Sequence, residues 1–460
     1  MKKTLAMILV LVMALSLVAC GQKKDPTADW GEKPEGTIEV VVWTYFGETV
    51  RNQYQQIVDA FNNSQSEYHV TVESQGNQAE MNAKIASTAQ EDLPALFHGA
   101  VENVAMYANE DYCVPIQEFI DIDEKGAWKE LDNTWDAIRA AYQDAEGNQI
   151  GYPQGYSYPA IYYNKDMFAK AGIDATKELL SFEDLYTISK KLVDGGYTTY
   201  GIGFHPDGYY FNAALGREGI MYYDNDNGYK GTIENCLYTS DSTANNAVKT
   251  MLGTYQKLYA DNLAIAYGSN YQKEIIPQLA DGSCAMMMAV VSVTGKVLSA
   301  VGNNFEVGIV PMISATSAGK RTGNPAGGTG SFICNNGNKW AQKGAYEFIK
   351  FASSADQAAN FSTMTGYLAP NSDAYNSTTY QDYVKNTFPA IADVYTSLEK
   401  SDSSANNPYI PISNEMKAAN KTATQEAASD PKADLDTIIK KANDTIQEAI
   451  ELYNLSNPAK

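Results

Sequence analysis

The chain has 460 residues, a net charge of −21 and a pI near 4.6. So acidic a chain repels nucleic acid and anionic lipid. Its only arginines, Arg51, Arg139, Arg217 and Arg321, argue against a strongly anionic ligand, for which Arg supplies the planar bidentate fork.

The first segment is a secretory signal. Lys2 and Lys3 precede an apolar run, Leu5 to Leu17, which is shorter than the about 20 residues of a membrane span. The ending Leu17-Val18-Ala19-Cys20 resembles the lipobox of bacterial lipoproteins. That likeness implies cleavage after residue 19 and acylation of Cys20. Residues 20–35, polar and punctuated by Pro and Gly, then read as a lipidated tether. The protein is expected at the cell surface, on the outer face of the cytoplasmic membrane, held by lipid alone and without a cytosolic cofactor. The mature chain is too long for one core, since domains cluster at about 100–200 residues, so two or three lobes are expected.

Beyond the tether, β-rich Thr37–Val42 predicts a strand. Thr49 is placed as the cap of a helix whose apolar face is Val50, Tyr54, Ile57, Val58 and Phe61. A strand at Tyr68–Val72, a helix near Glu80–Thr88 and a strand at Ala95–Phe97 follow. Alternating strands and helices predict βαβ units and a mainly parallel sheet. Ligands gather at the carboxyl ends of such strands. There stand Trp43, Tyr45 and Phe46, then Gln75, Asn77 and Gln78, then His98, Gly99 and Glu102.

Near 147–151 the pattern changes to a Tyr-rich run containing Tyr156, read as a crossover to a second lobe. Ser181 and Asp184 form a capping box for a helix towards Val193. Cys284–Val291 has strand or core-helix length, and a short strand ends near Val310. Gly323–Gly330 suits a return crossover, Lys343–Ala352 a helix, and Leu435–Tyr453 an amphipathic tail helix.

Catalytic and metal motifs fail on inspection. Gly155-Tyr-Ser-Tyr-Pro159 ends in proline where a nucleophile elbow needs glycine. The three histidines lack zinc spacing. Asp121–Gly126 starts like a calcium loop, but Lys125 occupies a ligand position, and helix capping is expected instead. Asp224–Gly228 reads as a hairpin turn, and Gly327–Gly330 lacks the lysine of a phosphate loop. Cys113, Cys236, Cys284 and Cys334 show no CxxC spacing; buried thiols and disulfides both stay open. The 32 tyrosines combine flat apolar faces with hydroxyls, as sugars do.

Four segments carry a family resemblance: Ile161–Gly172, Leu279–Met287, Ala345–Ser353 and Thr365–Pro370. Their order and spacing resemble the extracellular solute-binding proteins of bacterial ABC transporters, family 1, carbohydrate-binding. The nearest likeness is to the glycerol-3-phosphate-binding branch. That branch has a Ser-rich segment where this chain has Ala289-Val-Val-Ser292, and a phosphate-binding arginine where this chain has Tyr409-Ile-Pro411. Both departures remove anion ligands.

The resemblance implies an α/β fold of the periplasmic-binding-protein type II class, with two lobes joined by hinges. Lobe 1 is expected at 36–147 and 324–365, and lobe 2 at 148–323 and 366–460. Carried over by position, Tyr367, Gly327 or Gly328, Ser292 and Glu102 match binding positions, with Asp207, Tyr209 and Tyr210 near the aromatic cleft segment. Trp43 and Tyr209 would stack on sugar rings, while Asn77, Glu102 and Asp207 would bind hydroxyls; Tyr45, His98 and Tyr156 complete the expected site.

The expected function is capture of a neutral sugar or oligosaccharide by a monomer, and delivery to an ABC permease. The alternatives are a sugar sensor feeding a kinase, a glycerol-3-phosphate or polyol binder, and a secreted carbohydrate-active enzyme.

Overall fold

The computed structural model describes residues 26–123, 126, 128–205, 207–265, 271–319, 323–401 and 407–458. The expected signal and Cys20 lie outside the described residues. Strand β1 (Ile38–Thr44) leads to helix α1 (Glu48–Ser64), strand β2 (Tyr68–Ser74), helix α2 (Gln78–Ser87) and strand β3 (Leu96–Ala100). β1 pairs in parallel with both β2 and β3. Tyr54, Ile57, Val58 and Phe61 of α1 are buried, three- and four-residue spacing that turns one helix face to the sheet. The helix begins earlier than expected: Gly47 is its cap, without a side-chain bond, and Thr49 falls within the first turn.

Strands β4 (Cys113–Val114) and β5 (Tyr152–Ser157) join the same sheet, and β6 (Pro159–Asn164) opens the next. The chain therefore crosses between lobes at Tyr158, later than the expected boundary near 147. Every residue of β5 and β6 is buried. Helix α3 (Phe182–Asp194) starts at the predicted box, where the Ser181 hydroxyl accepts the Asp184 N–H. Strand β7 (Tyr200–Phe204), helix α4 (Gly208–Glu218) and helix α5 (Ser242–Ala260) precede β8 (Cys284–Val290) and β9 (Val307–Pro311). The second sheet runs β7-β8-β6-β9.

Strand β10 (Gly327–Cys334) returns to the first sheet, whose order is β2-β1-β3-β10-β4 with β5 also on β10. Gly327–Gly330 is thus strand, not a free Gly-rich passage. The return is pinned by Arg217, which donates to Gly323 O at 2.9 Å and Asn324 Oδ1 at 2.8 Å. Helix α6 (Lys339–Ser353) covers the first sheet, α7 (Ala355–Thr365) packs on α1 and α6, α8 (Ile391–Glu399) packs on β9, and α9 (Ser413–Ser429) and α10 (Leu435–Ser456) close the second lobe. In the calcium-like stretch, Asp123 accepts from Tyr346 at 3.0 Å and pairs with Lys350, tying that loop to α6. At 224–228 the turn is left-handed through Asn225, Asp226 and Asn227, and Tyr223 bridges Cys236 across it, as a hairpin would. Among the described residues no helix is long and apolar enough to cross a membrane.

Candidate functional site

The carboxyl end of β3 delivers the centre of the site. The chain passes from β3 straight into a 3-10 turn, Val101–Asn103, which projects Glu102 and Asn103 away from the first sheet. Both meet α9 of the second lobe. Glu102 Oε1 lies 2.8 Å from Lys417 Nζ, with side chains 14% and 18% exposed, and Asn103 Oδ1 accepts from Ser413 Oγ. Gly208, the first residue of α4, permits the approach of α9. A Cβ there would stand 2.2 Å from Lys417 O, closer than real contacts allow. Burial by itself would lower the Lys417 pKa; the adjacent Glu102 carboxylate, with Asp207 beyond it, reverses this and holds the ammonium above its ordinary range.

Tyrosines from both lobes surround this pair. Tyr45, beyond β1, shares a 2.6 Å hydrogen bond with Thr329 of β10. Tyr107 donates to Asn82 Oδ1 at 3.1 Å. Tyr142 and Tyr156 are fully buried. Tyr209, at the start of α4, reaches β10 so closely that a Cβ on Gly327 would lie 1.5 Å from its hydroxyl. Tyr367 stacks on Phe361 at 5.9 Å and covers Gly155. Burial pushes the Tyr45, Tyr107, Tyr142, Tyr156 and Tyr209 phenols well up, and Glu102 pushes Tyr45, Tyr107, Tyr142 and Tyr209 further. At neutral pH each is therefore an uncharged hydroxyl, able both to donate and to accept. The buried hydroxyls of Tyr142, Tyr156 and Tyr209 have no hydrogen-bond partner among the described residues.

The expected site residues divide. Tyr45, Glu102, Tyr156, Tyr209, Gly327, Gly328 and Tyr367 come together at the lobe junction; Gly328 adopts φ +92° against Gly155 O, a conformation suited to glycine. Ser292 lies at its edge, its N–H donating to Ser157 Oγ at 3.2 Å. Trp43 packs in the same apolar cluster as Tyr107, Tyr142 and Tyr156. It is 5% exposed, donates Nε1–H to Glu73 at 3.0 Å, and carries Lys84 over its ring at 4.2 Å. Asn77 spends its carbonyl capping α2. Asp207 caps α4, accepting the Tyr209 N–H at 2.9 Å, and so orients Tyr209. Tyr210 is buried in the second-lobe core.

His98 is a core histidine. Alternation along β3 turns it to the α1 face of the sheet. There it is 0% exposed between Phe46 and Tyr54, with Nδ1 2.8 Å from Thr44 Oγ1, and burial lowers its pKa to about 3.

Sequence reasoning missed Asn103, Tyr107, Tyr142, Ser413 and Lys417. Lys417 had a faint signal, being a cation beside the buried stripe Met416, Ala419, Asn420 and Ala423. The others stand in runs without local pattern. Elsewhere along the seam between lobes, a groove of about 760 Å³ is walled by Asn109, Asp111, Glu146, Tyr409 and Tyr453.

Known proteins agree with this architecture. The family profile described as bacterial extracellular solute-binding protein matches residues 56–389. The sn-glycerol-3-phosphate-binding periplasmic protein UgpB of Brucella melitensis is 29% identical over 336 residues, covering 70% of this chain and 72% of that one. The cyclic alpha-maltosyl-1,6-maltose binding protein of Arthrobacter globiformis superposes with a TM-score of 0.71 at 18% identity, covering 91% and 100% of the two chains. The GacH receptor of Streptomyces glaucescens, solved unliganded and with acarbose, gives 0.70 at 20% identity, covering 90% and 99%. These likenesses establish the type II periplasmic-binding-protein fold. The relatives are substrate-binding proteins rather than enzymes, and the chain belongs to the bacterial extracellular solute-binding proteins.

Proposed function

We propose that this protein captures a neutral sugar or oligosaccharide between its lobes and delivers it, as a monomer, to an ABC permease. The observation that carries this reading is the ring of uncharged phenols at the junction, with the hydroxyls of Tyr142, Tyr156 and Tyr209 left for another partner. A buried hydroxyl without a partner costs about 1–3 kcal/mol, which sugar hydroxyls in the junction would offset. Tyr45, Glu102, Tyr156, Tyr209 and Tyr367 are the proposed ligand contacts, with Gly327 of β10 letting the Tyr209 hydroxyl come up against the strand. The groove along the seam offers room for further sugar units; ligand sites span about 300–1,000 Å³. Capture would follow population shift, since a ligand held by both lobes favours the closed arrangement. The bridges from Glu102 to Lys417 and from Asn103 to Ser413 span the lobes in that arrangement.

A glycerol-3-phosphate ligand is the second reading, favoured by the likeness to the Brucella protein. Against it, Lys417 already answers Glu102, and the groove along the seam carries Asp111 and Glu146. A thermal-shift panel of maltooligosaccharides, hexoses, polyols, sn-glycerol-3-phosphate and glycerophosphocholine tests both, because a ligand stabilises the fold by mass action. A shift with neutral sugars supports the proposal; a shift confined to the phosphates overturns it.

The membrane attachment rests on the sequence around Cys20. Cys20→Ala is expected to move the protein from the membrane fraction to the medium, and retention on the membrane would sink the lipid anchor.

A further inference from the structure

Two of the four buried thiols oppose each other in the first sheet. Cys334 of β10 is the register partner of Cys113 of β4. Cys334 gives its N–H to Ala95 O at 2.9 Å, on the β3 side, and the next residue, Asn335, donates to Tyr112 O at 3.1 Å, on the β4 side. The Cys113–Cys334 pair therefore occupies a non-hydrogen-bonded position of the antiparallel ladder, where side chains approach most closely and Cα atoms lie about 4.5 Å apart. That separation is within the range of about 4.4–6.8 Å that a disulfide spans. Opposed residues project to one face of a sheet, and both cysteines belong to the same apolar cluster. The other two offer no such partner among the described residues: Cys236 and Cys284 sit in different clusters, and the Cys284 thiol lies 3.1 Å from Met286 O.

We propose that Cys113 and Cys334 form a disulfide that clasps β4 to β10 and holds the base of the first lobe. The proteins of this family work outside the cytoplasm, where disulfides persist. Two thiols are oxidised, losing two protons and two electrons as the S–S bond forms. A low-molecular-weight disulfide such as glutathione disulfide is reduced, its S–S bond breaking to give two thiols.

The bond would form while the chain folds. In the folded protein, burial pushes both thiols up, Cys113 further through Cys334 and Cys334 to about 12, and the attacking species is the thiolate. The clasp has a structural task. β4 is a two-residue edge strand, and residues 101–112 between β3 and β4 carry Glu102, Asn103 and Tyr107. The chain then leaves for the second lobe and returns at β10, so the bond would fix this segment independently of the second lobe.

The test is refolding of the full chain in a glutathione redox buffer, followed by alkylation in denaturant and peptide mapping without reduction. The expected result is a linked peptide containing Cys113 and Cys334, with Cys236 and Cys284 alkylated. Dithiothreitol present throughout refolding should lower the melting temperature of the wild type by several degrees and leave that of Cys113→Ser unchanged. Cys113 and Cys334 both alkylated in the redox-refolded chain, or linked instead to Cys236 or Cys284, would overturn the proposal.

Discussion

Lys417→Met isolates the contact that joins the lobes. The ammonium lies 2.8 Å from Glu102, and the two side chains are 18% and 14% exposed. Removing one partner of a fully buried pair costs about 3–5 kcal/mol, while an exposed pair is worth about 0–1 kcal/mol. This pair is mostly shielded but not dry, so about 2 kcal/mol is the reasonable cost. That cost falls on the closed arrangement alone, because Glu102 regains water when the lobes part. At 1.4 kcal/mol per tenfold, the ratio of closed to open protein should drop about 30-fold, and ligand affinity by a similar factor where closure is required. Methionine keeps most of the apolar stem, so packing against α4 changes little.

Small-angle scattering of the ligand-free variant should show a larger radius of gyration, and calorimetric titration the weaker affinity. Glu102→Gln combined with Lys417→Met should recover most of the closure, because no buried charge is left alone. The double variant reports on closure and not on affinity, since Glu102 is itself a proposed ligand contact. Unchanged scattering in the single variant, or no recovery in the double one, would refute the ion pair as an interlobe clasp. Alkaline pH offers a second route to the same result. The Lys417 pKa is raised above its unfolded 10.5, so its contribution is complete below that value and is lost as pH rises through the folded pKa.

Three more substitutions separate binding from packing. Tyr209→Phe removes a buried hydroxyl without a protein partner. It should weaken ligand binding about three- to tenfold while holding or raising the melting temperature, and a lowered melting temperature with intact affinity would contradict the assigned role. Trp43→Ala should cost about 3 kcal/mol or more of stability, measured by urea unfolding, with affinity changed less than about twofold. Normal stability with weakened binding would return Trp43 to the site. His98, neutral in the fold with a pKa near 3 against 6.5 unfolded, should make stability fall by up to about 1.4 kcal/mol per unit as pH drops from 6.5 towards 3, since only the unfolded chain takes up the proton. His98→Gln should remove that component of the slope, and an imidazole titrating near 6.5 in the folded protein by NMR would disprove it.

What was legible in the sequence follows from range. The spacing of Tyr54, Ile57, Val58 and Phe61 gave the buried face of α1 because helix periodicity is local. The Ser181 box gave the start of α3 for the same reason. The lobe crossing was less legible. β5 and β6 are buried along their whole length, so neither alternates, and no local signal tells which sheet a uniformly buried strand joins. The Gly327–Gly330 run looked like a loop because glycine is rare in strands. It pairs as a strand with β3 and β5, and it is glycine because Tyr209 and the Gly155 backbone press against it, leaving no room for side chains at 327 and 328.

The site shows the same division. Placing ligand residues at the carboxyl ends of parallel strands selected Tyr45 and Glu102, which the fold brings to the lobe junction, because that rule concerns topology and not side chains. It also selected Trp43, which packs in the same apolar cluster as Tyr107, Tyr142 and Tyr156 but is engaged by Glu73 and Lys84, and His98, which points to the α1 face. A one-residue step in a strand reverses the face, and knowing which face looks across to the second lobe requires knowing where that lobe sits. Lys417 and Ser413 lie more than 300 residues from their partners Glu102 and Asn103. No periodicity reaches that distance. The acidic composition and scarce arginine agree with the proposed neutral ligand, since the junction is assembled from neutral phenols and its lysine is paired with a glutamate. Composition therefore bears on the proposed class of ligand and motifs on the proposed contacts, because the charge available to a site is bounded by the whole chain, whereas the contacts depend on how two lobes meet.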